Sequence, residues 1–386
     1  MKQRSWSKLL LLFAAFALVL ASCSSSDDDS GSSTTTKAGG DNGSATTKPG
    51  GDNGATSATC QGKTGETATP AEYGTGTAPD GKGMKIGLVF DIGGKDDKSF
   101  NESAYDGLTA AAKAMGVDVK ELEPTSDGSN REALLRQLAQ DGYQLIIGNG
   151  FNFVDPLTKV AADFPDTKFA IVDSVVDAPN VVSIVFAEEQ GSFLVGAAAA
   201  QASKSKTVGF VGGVDTDLIK KFEAGYKAGV KEIDPDIKVE VKYISSGSDF
   251  SGFNDSAKGE TIAAGLYDAG SDVVYHASGG SGPGVIKAAV AADRLVIGVD
   301  QNQYFQFDAA EQKCMLTSMV KRVDVGVYDT VEGFVKGEFK GGTSVFDLTN
   351  GGISFATEGG QIPDTKQLDE LKQKIIDGDI KVPTAP

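Results

Sequence analysis

From residue 85 onward the chain alternates short apolar runs with longer helical patterns, and this alternation constrains the fold more than any single residue does. The runs lie at 85–90, 117–122, 145–148, 169–173, 181–186, 208–212, 239–244, 273–276, 295–299 and 315–319. Between and after them, helical patterns occupy 101–114, 130–140, 155–164, 190–202, 217–233, 255–269, 284–292, 324–336 and 365–377. Strands apolar on both faces and joined by helices require parallel sheets covered on both sides. The body from Gly83 to the C-terminus is about 300 residues, long for a single core. Its two halves open alike. Ile86-Gly87-Leu88-Val89 starts the first, and Val208-Gly209-Phe210-Val211-Gly212 starts the second. Each is followed by a helix whose Gly and Ala positions allow close packing on the sheet. The expected fold is therefore α/β, with two doubly wound parallel-sheet lobes. Their facing strand ends enclose a cleft that closes on a ligand by hinge motion.

The N-terminal part is of another kind. Lys2, Arg4 and Lys8 precede the apolar run Leu9–Leu20, which is shorter than the roughly 20 residues that span a bilayer. A basic start, a short apolar core and small residues after it read as a secretory leader over 1–22. The junction Leu20-Ala21-Ser22-Cys23 resembles a bacterial lipobox, so Cys23 is the expected lipidation site and new N-terminus. Residues 23–82 are rich in Ser, Thr, Gly, Asp and Ala, with Gly39-Gly40-Asp41-Asn42-Gly43 repeated at Gly50-Gly51-Asp52-Asn53-Gly54. Such a composition buries too little surface to offset chain entropy. It reads as a disordered tether between a lipid anchor and the body, with an end-to-end distance of roughly 40 Å. An exported protein permits a disulfide between the other two cysteines, Cys60 and Cys314. That bridge would pin the end of the tether to the body, although spacing does not decide the pairing.

Charge and motifs exclude several function classes. Formal net charge is −17, and −20 once Lys2, Arg4 and Lys8 leave with the leader. That balance argues against nucleic acid and against an anionic membrane surface as direct partners. Neither C-x-x-C nor H-x-x-x-H occurs, and the single histidine, His276, ends an apolar strand as a structural residue would. No metal, cofactor or catalytic set is implied, and an enzyme is the least favoured class.

The loops after strands carry the chemistry. Asp91-Ile92-Gly93-Gly94-Lys95-Asp96-Asp97-Lys98-Ser99-Phe100-Asn101 joins a strand to a helix, and it lacks the glycine pattern of a phosphate cradle. Alone, it reads equally as a ligand loop or as a solvated turn with Ser99 as helix N-cap. Gly148-Asn149-Gly150-Phe151, Ser246 through Asp255, and Gly298-Val299-Asp300-Gln301-Asn302-Gln303 end other strands. Phe100 and Phe253 come from different halves, and two opposed rings would sandwich a flat base. Each such stack is worth roughly 1–3 kcal/mol. A carboxylate can accept two vicinal ribose hydroxyls. Each ring also reads as a lobe-edge core residue.

Several of these segments together resemble the basic membrane protein family of substrate-binding lipoproteins, which includes purine nucleoside receptors. The resemblance runs from Asp91–Asn101 through Phe186-Ala187-Glu188-Glu189-Gln190-Gly191-Ser192-Phe193-Leu194-Val195-Gly196-Ala197. It continues in Gly279-Gly280-Ser281-Gly282, Gly298-Val299-Asp300 and Thr317-Ser318-Met319-Val320-Lys321. It implies a type I periplasmic-binding-protein fold, two lobes with three crossovers. Lobe 1 is expected at 83–187 plus 301–341, and lobe 2 at 188–300 plus 342–386. It further implies that Phe100 and Phe253 sandwich the base and that Asp91 and Asn101 bond its edge or the sugar. Asp173 would add a polar contact, Asp300 would hold the ribose hydroxyls, Lys321 would meet the sugar or a base acceptor, and Gly280 would admit the ligand to the backbone. Ser256 and Asn302 stand where the family often has Pro and Asp. The implied protein is a monomeric, lipid-anchored receptor on the extracytoplasmic face of the cell membrane. It would pass a nucleoside to an ABC permease. A receptor for a sugar or another small polar ligand, and an adhesion lipoprotein, remain the alternatives.

Overall fold

The computed structural model describes residues 57–386. The leader, Cys23 and the tether up to residue 56 lie outside the described residues. In chain order the elements begin β1 (Lys85–Val89), α1 (Phe100–Met115), β2 (Asp118–Leu122), α2 (Arg131–Gln140), β3 (Leu145–Asn149), α3 (Val154–Asp163), β4 (Lys168–Val172) and β5 (Val181–Phe186). They continue with α4 (Glu188–Ala202), β6 (Thr207–Asp215), α5 (Asp217–Ile233), β7 (Lys238–Ser246), α6 (Ser256–Asp268), β8 (Val273–Ala277), α7 (Gly282–Ala292) and β9 (Leu295–Asp300). The last are α8 (Ala309–Gln312), β10 (Met315–Lys321), α9 (Val323–Val335), β11 (Gly342–Phe346), β12 (Ile353–Phe355) and α10 (Thr365–Ile376).

The strands form two six-stranded sheets of matching order, β2-β1-β3-β4-β5-β11 and β7-β6-β8-β9-β10-β12. Pairing is parallel except for β12, which runs antiparallel to β10. Strands β3 and β9 are buried at every position, as sheets with helices on both faces demand.

The small residues of the helices serve a contact the sequence reading assigned differently. They let helices approach each other rather than the sheet. A Cβ on Gly225 or Gly229 of α5 would lie 2.1 Å from the Glu189 carbonyl or 1.8 Å from that of Phe193, both on α4. In the first lobe, Gly107 of α1 meets the Asp324 carbonyl of α9 in the same way, at 2.1 Å.

Sheet membership corrects the expected lobe boundaries. Strand β10 pairs with β9, so 301–321 goes with the second sheet. Strand β11 pairs with β5, so 342–346 returns to the first. The chain changes lobe at 186–188, at 321–323 and between 346 and 353. Strand β11 has a mostly exposed burial pattern, which is why no apolar run announced it.

The end of the expected tether is not free. Residues 57–82 form no helix or strand but lie along the body as a strap. Cys60 is joined to Cys314 by a disulfide. The Gly62 amide donates to the Lys313 carbonyl and that of Lys63 to the Gly359 carbonyl, each at 3.0 Å. Tyr73 stacks on Tyr328 of α9 with ring centroids 5.1 Å apart. The Gly81 amide donates to the Met115 carbonyl at 2.7 Å. Composition alone misjudged this stretch, because its backbone amides and one aromatic ring find partners that only the folded body supplies.

Candidate functional site

Strand ends of both sheets meet around one cavity. Its walls come from both lobes, and half of the lining residues carry apolar side chains.

The loop after β1 is tied to itself before it meets anything else. The Asp97 carboxylate accepts the backbone N–H groups of Ser99, Asn101 and Glu102 at 2.9, 3.0 and 3.1 Å. It therefore caps α1, whereas the Ser99 side chain does not. Burial pushes the Asp97 carboxyl up to about 7, against the pull of those three amides. Freed from capping, the Ser99 hydroxyl crosses the cleft to Asp300 Oδ2 at 2.5 Å.

The expected site residues divide into two groups. Asp91, Phe100, Asn101, Asp173, Phe253, Asp300 and Lys321 all line the cavity. Gly280 does not; its neighbour Gly279, at φ +52°, takes that place. Gly280 instead faces the Phe253 carbonyl and the Asp97 side chain. Asn101 is committed within the loop. Its Oδ1 accepts from the Asp91 N–H and from Asn149 Nδ2, both at 3.0 Å, and its Nδ2 donates to Asp97 at 3.1 Å. Asp91 Oδ1 is held by Arg131 at 2.5 Å and by the Ile92 amide at 2.8 Å. Among the described residues its Oδ2 has only Asn152, at 3.4 Å.

Lys321 is the electrostatic centre. It is 2 % exposed and lies 2.7 Å from Asp173 of the first lobe and 3.7 Å from Asp300 of the second. Burial alone would lower its pKa, but Asp173, Asp300 and the buried Glu188 outweigh that, and the ammonium is held more firmly than usual. Burial raises the Asp300 carboxyl, with Lys321 opposing. Asp173 and Asp300 end equivalent strands, and both adopt φ +64°. Left-handed backbone at a non-glycine residue is costly and clusters at functional sites. Asp173 Oδ1 is buried without a partner among the described residues, so one acceptor in the cavity wall is unpaired.

Sequence reasoning missed the apolar wall. Leu218, Ile219 and Phe222 of α5 line the cavity, as does Phe151. Their signal was the repeat itself. The β6–α5 connection is the second lobe's counterpart of Asp91–Asn101, and Phe151 sits in one of the strand-end loops. His276 is fully buried between Gln303 and Ser278. Burial lowers it to about 4, so it is a neutral core residue.

A profile of PnrA-like ABC transporter substrate-binding proteins, the Bmp family, matches residues 84–385. The chain belongs to the Bmp family. It is 38 % identical over 322 residues to the ABC transporter nucleoside-binding protein BmpA of Lactococcus lactis, covering 78 % of this chain and 89 % of that one. It is 36 % identical over 325 residues to the CD4+ T-cell-stimulating antigen of Listeria monocytogenes, covering 79 % and 89 %. An ABC transporter solute-binding protein of Aeropyrum pernix aligns at a TM-score of 0.70 and 29 % identity, over 78 % of this chain and 93 % of that one. This Bmp protein thus has the two-lobe periplasmic-binding-protein architecture. It is an ABC transporter substrate-binding protein, and its family and structural neighbours bind solutes rather than transform them.

Proposed function

We propose that the cleft of this Bmp protein binds a nucleoside, most naturally a purine nucleoside, and presents it to an ABC permease. The carrying observation is one cavity with rings from both lobes, Phe100 and Phe253, beside a buried carboxylate oxygen of Asp173 that lacks a partner. Flat apolar walls suit a base, and the Asp173–Lys321–Asp300 group suits sugar hydroxyls. The nucleoside-binding relative from Lactococcus supports the same reading. In this reading Asp91 Oδ2 accepts from the base edge. Asn101 acts by holding the loop, and the Gly279–Gly280 turn brings backbone close to the ligand. The protein works as a monomer, anchored by a lipid on Cys23 at the extracytoplasmic face of the membrane.

Calorimetry with purine nucleosides tests this. Phe100→Ala and Phe253→Ala should each weaken binding by roughly 1–3 kcal/mol and leave the melting temperature nearly unchanged. Unaltered affinity in both variants would remove the base sandwich and favour a sugar held by Asp173, Asp300 and Lys321 alone.

A further inference from the structure

The strap runs from one lobe to the other. Ala58 donates its amide to Asp272 at 3.1 Å, and Cys60 donates to Asp293 at 3.2 Å, both before strands of the second sheet. Gly65 donates to Gln312 at 2.9 Å, and the Glu66 carboxylate accepts from the Gly359 amide at 3.2 Å. All these partners belong to the second lobe. Residues 67–72 are exposed. Then Tyr73 stacks on α9 beside Asp324, and Gly81 bonds the end of α1, both in the first lobe.

We propose that residues 57–82 form a leash across the flank of the cleft, fixed to the second lobe by Cys60–Cys314 and to the first by Tyr73 and β1. It is a fourth connection between the lobes, beside the three hinge crossovers. Seven residue steps separate Glu66 from Tyr73, so the two docking points can part by at most about 25 Å. The leash thereby removes widely opened arrangements from the ligand-free ensemble and leaves the closed arrangement untouched. It favours closure, slows ligand release and makes both sensitive to reduction of one disulfide. It also makes the second lobe the point where the preceding chain is held.

The test severs the leash after folding. Residues 67–72 are replaced by a six-residue thrombin site, and the folded protein is cut. The disulfide keeps residues 57–66 on the second lobe, and β1 keeps residues 73–82 on the first. Small-angle X-ray scattering without ligand should show a larger radius of gyration after the cut, with an unchanged melting temperature. The double variant Cys60→Ser/Cys314→Ser should shift the same way, and so should the uncut protein under reductant. With adenosine as the probe, release should quicken after the cut. The scattering result stands whether or not adenosine binds. Superimposable scattering curves before and after the cut, or a more compact cut protein, would overturn the leash.

Discussion

Replacing Lys321 with Met tests whether one buried ammonium joins the lobes. Lys321 and Asp300 belong to the second lobe, and Asp173 to the first. Closure therefore brings Asp173 to 2.7 Å from the ammonium. At an effective dielectric of about 20 that contact is worth about 6 kcal/mol gross, and desolvation offsets part of it. In Lys321→Met, closure instead buries Asp173 near Asp300 with no cation between them. Breaking a buried pair from one side costs about 3–5 kcal/mol. Because an open cleft returns Asp173 to water, that cost falls on closure rather than on folding. Ligand affinity at pH 7.5 should drop by a factor on the order of 10²–10³, with a much smaller change in the melting temperature of the ligand-free protein. Burial raises the Glu188 carboxyl to about 7, with the Asp173 charge adding to the rise, so mild acid neutralises Glu188 and relieves part of the repulsion. The deficit should narrow between pH 7.5 and pH 5.5, and Asp173→Asn in the same chain should restore part of the affinity. Calorimetry at both pH values, with melting curves, measures all of this. Affinity within threefold of the parent protein, or an equal deficit at both pH values, would refute the reasoning.

The remaining expectations concern the surroundings of the cleft. Burial raises the Glu188 carboxyl from 4.5 to about 7. The folded protein thus keeps a proton that the unfolded chain loses, and this contribution is full below pH 4.5 and fades as pH rises through 7. Glu188→Gln should gain melting temperature relative to the parent at pH 8 compared with pH 5; a pH-independent difference would count against the buried carboxyl. Gly229→Ala places a methyl 1.8 Å from the Phe193 carbonyl. Backbone cannot swing aside, so a strain of about 1–3 kcal/mol should exceed the helix-propensity gain of up to about 1 kcal/mol. A melting temperature equal to or above the parent's would show that α4 and α5 part easily.

The sequence alone determined what depends on local pattern. Short apolar runs and period-3.6 apolar spacing placed ten strands and nine helices, because the burial of an element leaves its mark on each segment separately. Asp91, Phe100, Phe253 and Asp300 were legible as cavity residues because each stands in or beside a loop at a strand end, where a side chain can reach a cleft, whereas Lys321 was implied by the family resemblance alone. Lobe membership at 301–346 was not legible, since a strand's lobe is set by its hydrogen-bonding partner far along the chain. The exposed edge strand β11 had no apolar signature at all. Gly279 rather than Gly280 lines the cavity, because the turn's left-handed position falls on Gly279, and only the folded backbone decides which glycine takes it. Asn101 proved to be a loop brace because its partners, Asp97 and Asn149, come together only in the tertiary fold. The strap is the clearest case. Its residues are individually too polar to specify structure, and Cys314, Tyr328 and the free carbonyls of the body give them an ordered path.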